Sequence, residues 1–146
     1  MEGLLRGFFL DTGRKDVTDC FGFLCGTPAM AFCQLGEDNI SPMTIEVLED
    51  SVFFCVPISL ILEMQEHYPE VTMFYNRLLV GALNEHWRMK QVLHQYTALE
   101  RYQWFLETYP SLVERVSNKN VASFLGMSPV TLSRLKRTLR EQQASP

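Results

Sequence analysis

The sequence predicts an α+β protein, with an antiparallel β-rich first half followed by a long helix and a small helical unit. Residues 3–57 contain short β-branched and aromatic runs separated by turn residues. Residues 69–93 read as one long helix, and residues 121–140 contain two short apolar-periodic segments with a turn between them. The expected division is therefore 1–68, 69–96 and 97–146.

The composition indicates a folded protein. Of the 146 residues, 47% are hydrophobic and 12% aromatic, which is enough to bury a core and excludes a chain that is disordered by composition. The longest apolar run, residues 52–64, is too short to span a bilayer and contains Pro57. No basic segment precedes a hydrophobic one at the start, so we expect no signal peptide and a soluble, cytoplasmic protein.

Charge is unevenly distributed along the chain, whose formal net charge is −4. Residues 1–68 contain 3 Lys or Arg against 11 Asp or Glu, whereas residues 69–146 contain 10 against 6. Residues 115–146 carry 6 basic side chains and one acidic side chain, Glu141. An acidic first half and a basic end indicate a regulatory or packing module joined to one that faces a polyanion. A solvated, charged terminal helix is the alternative.

The first half is predicted to contain two β-hairpins. Residues 3–23 form the first, with Asp11-Thr12-Gly13 as the turn and Gly13 available for a positive φ. Residues 43–57 form the second, with a turn at 49–51 and a buried strand at 52–56. The intervening residues 24–42 suit a short helix or a loop.

The helical part begins after Pro57, where Ser59 is a candidate N-cap of a short helix. The long helix from Pro69 to about Leu93 has apolar residues on more than one face, so more than one face must be buried. We expect one face to pack within the chain and another to contact a second copy, although enclosure in one core is the alternative. The candidate dimer residues are Met73, Val80, Gly81, Ala82, Trp87 and Met89.

Residues 98–116 begin a separate helical unit, in which Leu99, Tyr102, Phe105 and Leu106 mark the inward face and Pro110 ends the helix. Aromatic residues can form a stacking platform for bases. At helical spacing they more often form a core, and we expect a core for the four aromatic side chains in this segment. They are Tyr102, Trp104, Phe105 and Tyr109.

Residues 121–140 predict a helix, a tight turn and a second helix. Gly126 suits the left-handed position that ends a helix, Ser128 is a natural N-cap, and Pro129 fits the first helical position. At 100° per residue, the second helix places Leu132, Leu135 and Leu139 on one side. The opposite side is polar and basic.

This pattern is typical of a DNA-binding helix-turn-helix with a recognition helix at about 129–140 in the major groove. Arg134 or Arg137 can donate two hydrogen bonds to guanine, and Val130 can contact a thymine methyl group. Lys136 and Arg140 suit phosphate contacts. A ligand- or protein-binding module, in which the two helices serve only packing, is the alternative. The candidate DNA-binding residues are Ser128, Pro129, Val130, Thr131, Ser133, Arg134, Lys136, Arg137 and Arg140.

Enzymatic, metal-binding and cofactor-binding signals are weak. The three histidines, His67, His86 and His94, are scattered over helical segments and are expected to face solvent. No catalytic triad spacing or phosphate-binding glycine loop occurs. The four cysteines lack the spacing of a zinc site and are expected to be small buried thiols, with a redox or iron–sulfur role as the minor alternative. They are Cys20, Cys25, Cys33 and Cys55.

Residues 100–139 resemble the C-terminal region of bacterial Crp/Fnr-type transcription regulators, the family of the cyclic-AMP receptor protein. Residues 3–23 and 44–57 resemble strands of that family's β-roll, and residues 69–93 resemble its dimerising helix. The resemblance implies a homodimeric regulator with a partial, cyclic-nucleotide-binding-like β-roll and a winged helix-turn-helix domain. It also implies that Pro129, Val130 and Arg134 occupy positions that face bases.

The chain departs from the family pattern in three respects. The family's β-roll has further strands upstream, so Met1 falls within that domain. Nucleotide-binding members use a Gly-Glu pair followed by an Arg; Gly36-Glu37 is present, but no Lys or Arg occurs between Lys15 and Arg77. We therefore expect no cyclic-AMP binding and no cofactor, and an effector of some other class if one exists. A Glu usual at the position of Val130 is also absent, which removes an acceptor for cytosine N4.

Overall fold

The computed structural model describes residues 3–23, 41 and 43–144. These residues form an α+β structure, as predicted, with a small antiparallel sheet followed by helices. A 3₁₀ turn at Pro110–Leu112 separates the third and fourth α-helices. The bounds are β1 Leu4–Leu10, β2 Asp16–Gly22, β3 Thr44–Glu49, α1 Ile58–His67, α2 Pro69–Gln95, α3 Ala98–Thr108, α4 Asn118–Phe124 and α5 Pro129–Ala144.

The first hairpin is confirmed, and β1 lies in the middle of the sheet between β2 and β3. Its turn, residues 11–15, is built by Asp11, whose carboxylate accepts hydrogen bonds from the backbone N–H groups of Gly13 (2.8 Å) and Lys15 (2.9 Å). The positive φ was predicted for Gly13 but occurs at Arg14, where φ is 60°. The prediction was wrong because the Asp11 N–H also bonds the Lys15 carbonyl, which makes the turn longer than the sequence pattern indicated.

The second hairpin is a wrong prediction. β3 pairs with β1, and residues 50–57 form no strand. The Ser51 hydroxyl accepts the Leu4 N–H at 3.2 Å and donates to the Glu49 carbonyl at 2.6 Å, so the chain leaves the sheet at this point. The segment 52–56 is exposed rather than buried, with Phe54 at 84%. Cys55 lies in this segment and is exposed, contrary to the expectation of a buried thiol.

The two helices that follow agree with the sequence except at the first cap. α1 begins at Ile58, and Pro57, which makes no side-chain cap bond, holds the N-cap position in place of Ser59. A run of helical residues can be recognised from its periodicity, whereas its first residue depends on backbone angles that propensity does not fix. α2 is 27 residues long and runs slightly past the predicted Leu93.

The chain divides into two compact units. One comprises Met1–Gly7 and Phe21–Met89, and the other comprises Phe8–Cys20 and Lys90–Pro146. The distal part of the first hairpin therefore belongs to the same unit as α3, α4 and α5. The buried core of this second unit consists of Val92, Tyr102, Phe105, Leu112, Val116, Val121, Ala122, Phe124, Leu125 and Leu132.

The aromatic residues of α3 are core residues, as predicted. Tyr102 and Phe105 are buried, and Trp104 and Tyr109 are half-buried. Three of these rings surround Phe124 of α4, with centroid separations of 5.9 to 6.4 Å in stacked and edge-to-face arrangements. Such aromatic pairs stabilise a core beyond the area they bury. These rings therefore fix α4 against α3 and are not available to stack on bases.

Some predictions fall outside the described residues. These are the helix or loop at 24–42, of which only residue 41 is described, and the residues Cys25, Cys33, Gly36 and Glu37. No helix in the described ranges combines the length and apolar character needed to cross a membrane. The part of the second unit that is described has no strand apart from the hairpin, so the wing stays a prediction.

Candidate nucleic-acid interface

A tight glycine turn connects α4 to α5. Gly126 adopts φ 62°, its N–H bonds the Ser123 carbonyl at 3.1 Å, and the Met127 N–H bonds the Ala122 carbonyl at 2.9 Å. This pair of bonds is the Schellman arrangement that satisfies the last carbonyls of a helix. The predicted role of Gly126 is confirmed, and the turn sets the direction in which α5 leaves α4.

The start of α5 is fixed by the predicted cap. The Ser128 hydroxyl accepts the backbone N–H of Thr131 at 3.0 Å, and Pro129 is the first helical residue. The hydroxyls of Ser128 and Thr131 also lie 2.9 Å apart, within hydrogen-bond distance. Both hydroxyls are therefore part of the cap, which preorganises the N-terminal turn of α5.

α5 packs against α3 and α4 through its leucine side. Leu132 is completely buried, while Leu135 and Leu139 are half-buried. The opposite side is open to solvent, as predicted: Val130 is 61% exposed, and Ser133, Arg134 and Arg137 are also exposed. The helix is thus held by one face and presents the other.

The exposed side of α5 borders a polar cleft of about 410 Å³, which we call the basic cleft. This volume would admit a small molecule, but such sites are mostly apolar. The lining here has no apolar residue and four basic ones, so a polyanion fits it better. The lining residues are Asn118, Ser133, Arg134, Lys136, Arg137 and Arg140.

Lys136 is positioned more firmly than its neighbours. Its ammonium group donates to the side-chain oxygen of Asn118 and lies 5.9 Å from the centroid of the Tyr102 ring. Burial lowers the pKa of Lys136 below its usual value, and the nearby Arg140 lowers that pKa further. Burial raises the pKa of Tyr102, and Arg140 opposes that rise. Positive charge is therefore concentrated at this end of the cleft.

Arg137 has a weaker constraint. Its Nε lies 3.7 Å from a carboxylate oxygen of Glu141, one helical turn away, and both side chains are largely exposed. Exposed pairs of this kind contribute about 0.3–0.5 kcal/mol. A phosphate or a base could therefore displace Glu141 at little cost in free energy.

The first hairpin is attached to α4 in the same compact unit. The Ser123 hydroxyl accepts the Thr18 N–H at 2.9 Å and donates to the Asp16 carbonyl at 3.2 Å. The Asp16 carboxylate lies 3.3 Å from the ammonium group of Lys119. These residues link β2 to the face of α4 that carries positions 119 and 123.

The structure thus brings together five of the nine residues predicted for DNA binding, Ser133, Arg134, Lys136, Arg137 and Arg140, in one cleft. Val130 is exposed on the same helix, and Pro129, Ser128 and Thr131 form its start. Sequence reasoning missed Asn118 and Tyr102, which hold Lys136. They come from two other helices, and no local pattern pairs them with position 136.

The candidate dimer residues lie on two different sides of α2. Met73, Val80 and Trp87 recur every seven residues and are each more than half exposed. The parallel row of Tyr75, Ala82 and Met89 is half-buried. A Cβ added at Gly81 would meet no atom within 4 Å.

No group of three or more metal-ligating side chains occurs within residues 3–23, 41 and 43–144. The three histidines are exposed on α1 and α2, as predicted. Cys20 is half-buried on β2.

The fold is similar to that of solved transcription regulators, although no protein-family model and no curated protein matches the chain. FixK2 from Bradyrhizobium japonicum aligns with a TM-score of 0.76 at 18% identity, over 97% of this chain and 73% of FixK2. A protein assigned as a transcriptional regulator of the Crp/Fnr family from Eubacterium rectale ATCC 33656 aligns with a TM-score of 0.65 at 17% identity, over 97% and 67%. These neighbours are regulators and not enzymes. At such identities the likeness establishes the fold, and the chain has the fold of Crp/Fnr-type regulators.

Proposed function

We propose that the chain is a sequence-specific, DNA-binding transcription regulator and not an enzyme, with α4 and α5 acting as a helix-turn-helix. The observation that carries the proposal is the basic cleft on the open side of α5, a helix whose other side is anchored by the buried Leu132. A rigid helix with exposed Arg and Ser side chains and a capped N-terminus is suited to insertion in the major groove.

The residues of α5 divide into two roles in this proposal. Arg134 and Arg137 are exposed and long enough to donate paired hydrogen bonds to guanine O6 and N7. Val130 contacts a thymine methyl group, and Ser133 contacts a base edge or a phosphate. Lys136 and Arg140 contact phosphates, because a fixed ammonium group suits a contact that positions the protein without reading sequence.

We propose that the protein acts as a homodimer through the exposed row of α2. Met73, Val80 and Trp87 form an apolar stripe at the seven-residue spacing of helix pairs. Gly81 leaves room for close approach by a second helix. A two-fold dimer would place two copies of α5 on successive turns of one face of DNA.

The proposal includes no cofactor. The absence of Lys and Arg from residues 16–76 argues against an ion pair with a cyclic phosphate in that part of the chain. Any small-molecule effector would belong to another class. A cytoplasmic location, where DNA is accessible in a bacterium, is part of the same proposal.

The salt dependence of DNA binding tests the proposal. The logarithm of the binding constant for random-sequence duplexes should fall linearly with the logarithm of salt concentration, by about 0.9 for each phosphate contacted. Arg134→Ala combined with Arg137→Ala should weaken binding strongly. Arg77→Ala combined with Arg88→Ala, which removes the same charge from α2, is the matched control and should bind like the wild type. Equal loss in both double variants would contradict a DNA site on α5.

A further inference from the structure

The turn of the first hairpin, residues 11–15, carries the exposed basic side chains of the acidic half. Residues 1–68 contain three basic residues, Arg6, Arg14 and Lys15. Arg6 is buried and bonded to the Glu46 carboxylate at 2.7 Å. Arg14 and Lys15 are exposed, and both lie in the turn. In a segment that is otherwise strongly acidic, the available positive charge is thus confined to one tip.

The acidic residues beside this tip are already engaged. The Asp11 carboxylate accepts two backbone N–H groups inside the turn, and Asp16 is paired with Lys119 at 3.3 Å. Within the described ranges, the side chains of Arg14 and Lys15 make no hydrogen bond or ion pair. Their charges are therefore open to an external anion.

Contacts with α4 show where the tip points. Along β2, Thr18 contacts Ser123 near the C-terminal end of α4, and the Asp16 side chain contacts Lys119 near its N-terminal end. Following the strand from residue 18 to residue 16, and on to residues 15 and 14, leads towards the N-terminal end of α4. Consecutive Cα atoms are about 3.8 Å apart, so Lys15 and Arg14 lie within two residues of the Asp16 contact.

The same end of α4 borders the basic cleft. Asn118, the first residue of α4, lines the cleft and accepts a hydrogen bond from Lys136. Lys119, the next residue, holds Asp16. Two adjacent residues of α4 therefore connect the cleft on one side with the hairpin on the other. In a helix-turn-helix, the first helix is the one that crosses the phosphate backbone.

From this arrangement we infer that Arg14 and Lys15 form a second phosphate-binding site, which extends the DNA contact of α5 along the backbone. The inference rests on the proposed function and adds a surface from outside the helix-turn-helix. Because the site touches phosphates alone, it contributes affinity and salt dependence without sequence preference.

The test compares two double variants with equal loss of charge. Arg14→Gly with Lys15→Gln removes the site, and glycine is chosen because it tolerates the positive φ of Arg14. Arg77→Gln with Arg88→Gln removes two charges from α2 as the control. The probe is a labelled mixture of random-sequence duplexes, titrated over a range of salt concentrations, and thermal unfolding checks the fold of each variant. Lys15→Gln alone, which leaves the left-handed residue unchanged, guards against a folding defect.

The hairpin variant should reduce the salt slope by about 0.9 for each lost contact in each protomer, while the control keeps the wild-type slope. Lys15→Gln alone should give about half of the reduction. The sequence motif selected from a random pool should be the same for the hairpin variant and the wild type. An unchanged slope in a folded hairpin variant, or an equal change in the control, would overturn the inference while leaving DNA binding by α5 in place. Failure of the wild type to bind would overturn both.

Discussion

The hydroxyl of Ser123 on α4 accepts the backbone N–H of Thr18 on β2 at 2.9 Å, although the two residues are 105 positions apart in sequence. The same hydroxyl donates to the carbonyl of Asp16 at 3.2 Å. Thr18 is buried, so its N–H cannot turn to water instead. One side chain thus attaches the first hairpin to the helix that supports the candidate interface.

Ser123→Ala should destabilise the second unit by about 1–3 kcal/mol, because it leaves a buried N–H without its acceptor. Urea unfolding followed by circular dichroism measures the change. Lys119→Met is the matched control, since it breaks an exposed ion pair on the same face of α4 and should cost less than about 1 kcal/mol. An equal effect of the two substitutions would contradict the assigned role of the hydroxyl.

Gly126→Ala should destabilise the protein by about 1 kcal/mol or more. Its φ of 62° is strained for a residue with a Cβ, and that Cβ would lie 3.1 Å from Leu93 Cδ2 and 3.2 Å from Arg101 Nη1. Gly126→Asn introduces the same Cβ but tolerates the left-handed conformation better. Thermal unfolding should therefore rank wild type above Asn and Asn above Ala; a more stable Ala variant would refute the strain at this turn.

The start of α3 should show a pH-dependent contribution from Glu100. The Thr97 N–H donates to the Glu100 carboxylate at 2.7 Å, and the Glu100 N–H donates to the Thr97 hydroxyl at 3.4 Å, forming a capping box. The hydrogen bond from the Thr97 backbone, followed by that from its side chain, lowers the pKa of Glu100 below 4.5.

A carboxylate with a lowered pKa stabilises the folded state above its unfolded pKa, and this stability is lost as pH falls through the folded pKa. Glu100→Gln should therefore be less stable than wild type at neutral pH, and the difference should shrink as pH falls below 4.5. Urea unfolding over a pH series measures this gap. A gap that stays constant with pH would show that the charge of Glu100 makes no contribution.

Val80→Glu should convert the proposed dimer into a folded monomer, because it places a charge in the exposed apolar row of α2. Sedimentation velocity measures the change in mass, and circular dichroism checks that the helices persist. His86→Glu adds the same charge at an exposed polar position of α2 and should leave the dimer intact. Identical sedimentation of wild type and both variants would remove this row from any interface.

Arg134→Ala and Lys136→Ala should have different effects on DNA binding. Arg134→Ala should lose about 1–3 kcal/mol of discrimination at one base pair if its contact is bidentate to guanine. Lys136→Ala should weaken binding to all duplexes about equally and reduce the salt slope by about one. Competition between the preferred duplex and single-base variants measures both. The division of roles would be wrong if the two substitutions behaved alike.

The turn between α4 and α5 could be predicted because its determinants are local. Gly126, Ser128 and Pro129 each act through their own backbone angles or through an atom within five residues. The outward basic face followed from helical periodicity alone. The capping box at Thr97 and Glu100 was equally visible in the sequence, as a Thr followed three residues later by Glu, and was overlooked.

The first half was harder to predict because its structure depends on distant partners. The run 52–56 has the composition of a buried strand, but no strand pairs with it in the described residues, and the Ser51 hydroxyl bonds to Leu4. The attachment of β2 to α4 also has no local signal, since it joins residues 105 positions apart. Propensity describes what a segment suits, and tertiary contacts decide whether it occurs.

Selection of bound duplexes from a random DNA pool tests the central claim most directly. At near-physiological salt, the wild type should recover an inverted repeat with half-site centres about 10 base pairs apart, as expected for a dimer with one α5 in each major groove. Arg134→Ala should relax the preference at one position in each half-site. A folded dimer that recovers no motif would contradict DNA reading by α5 and would favour a ligand- or protein-binding module.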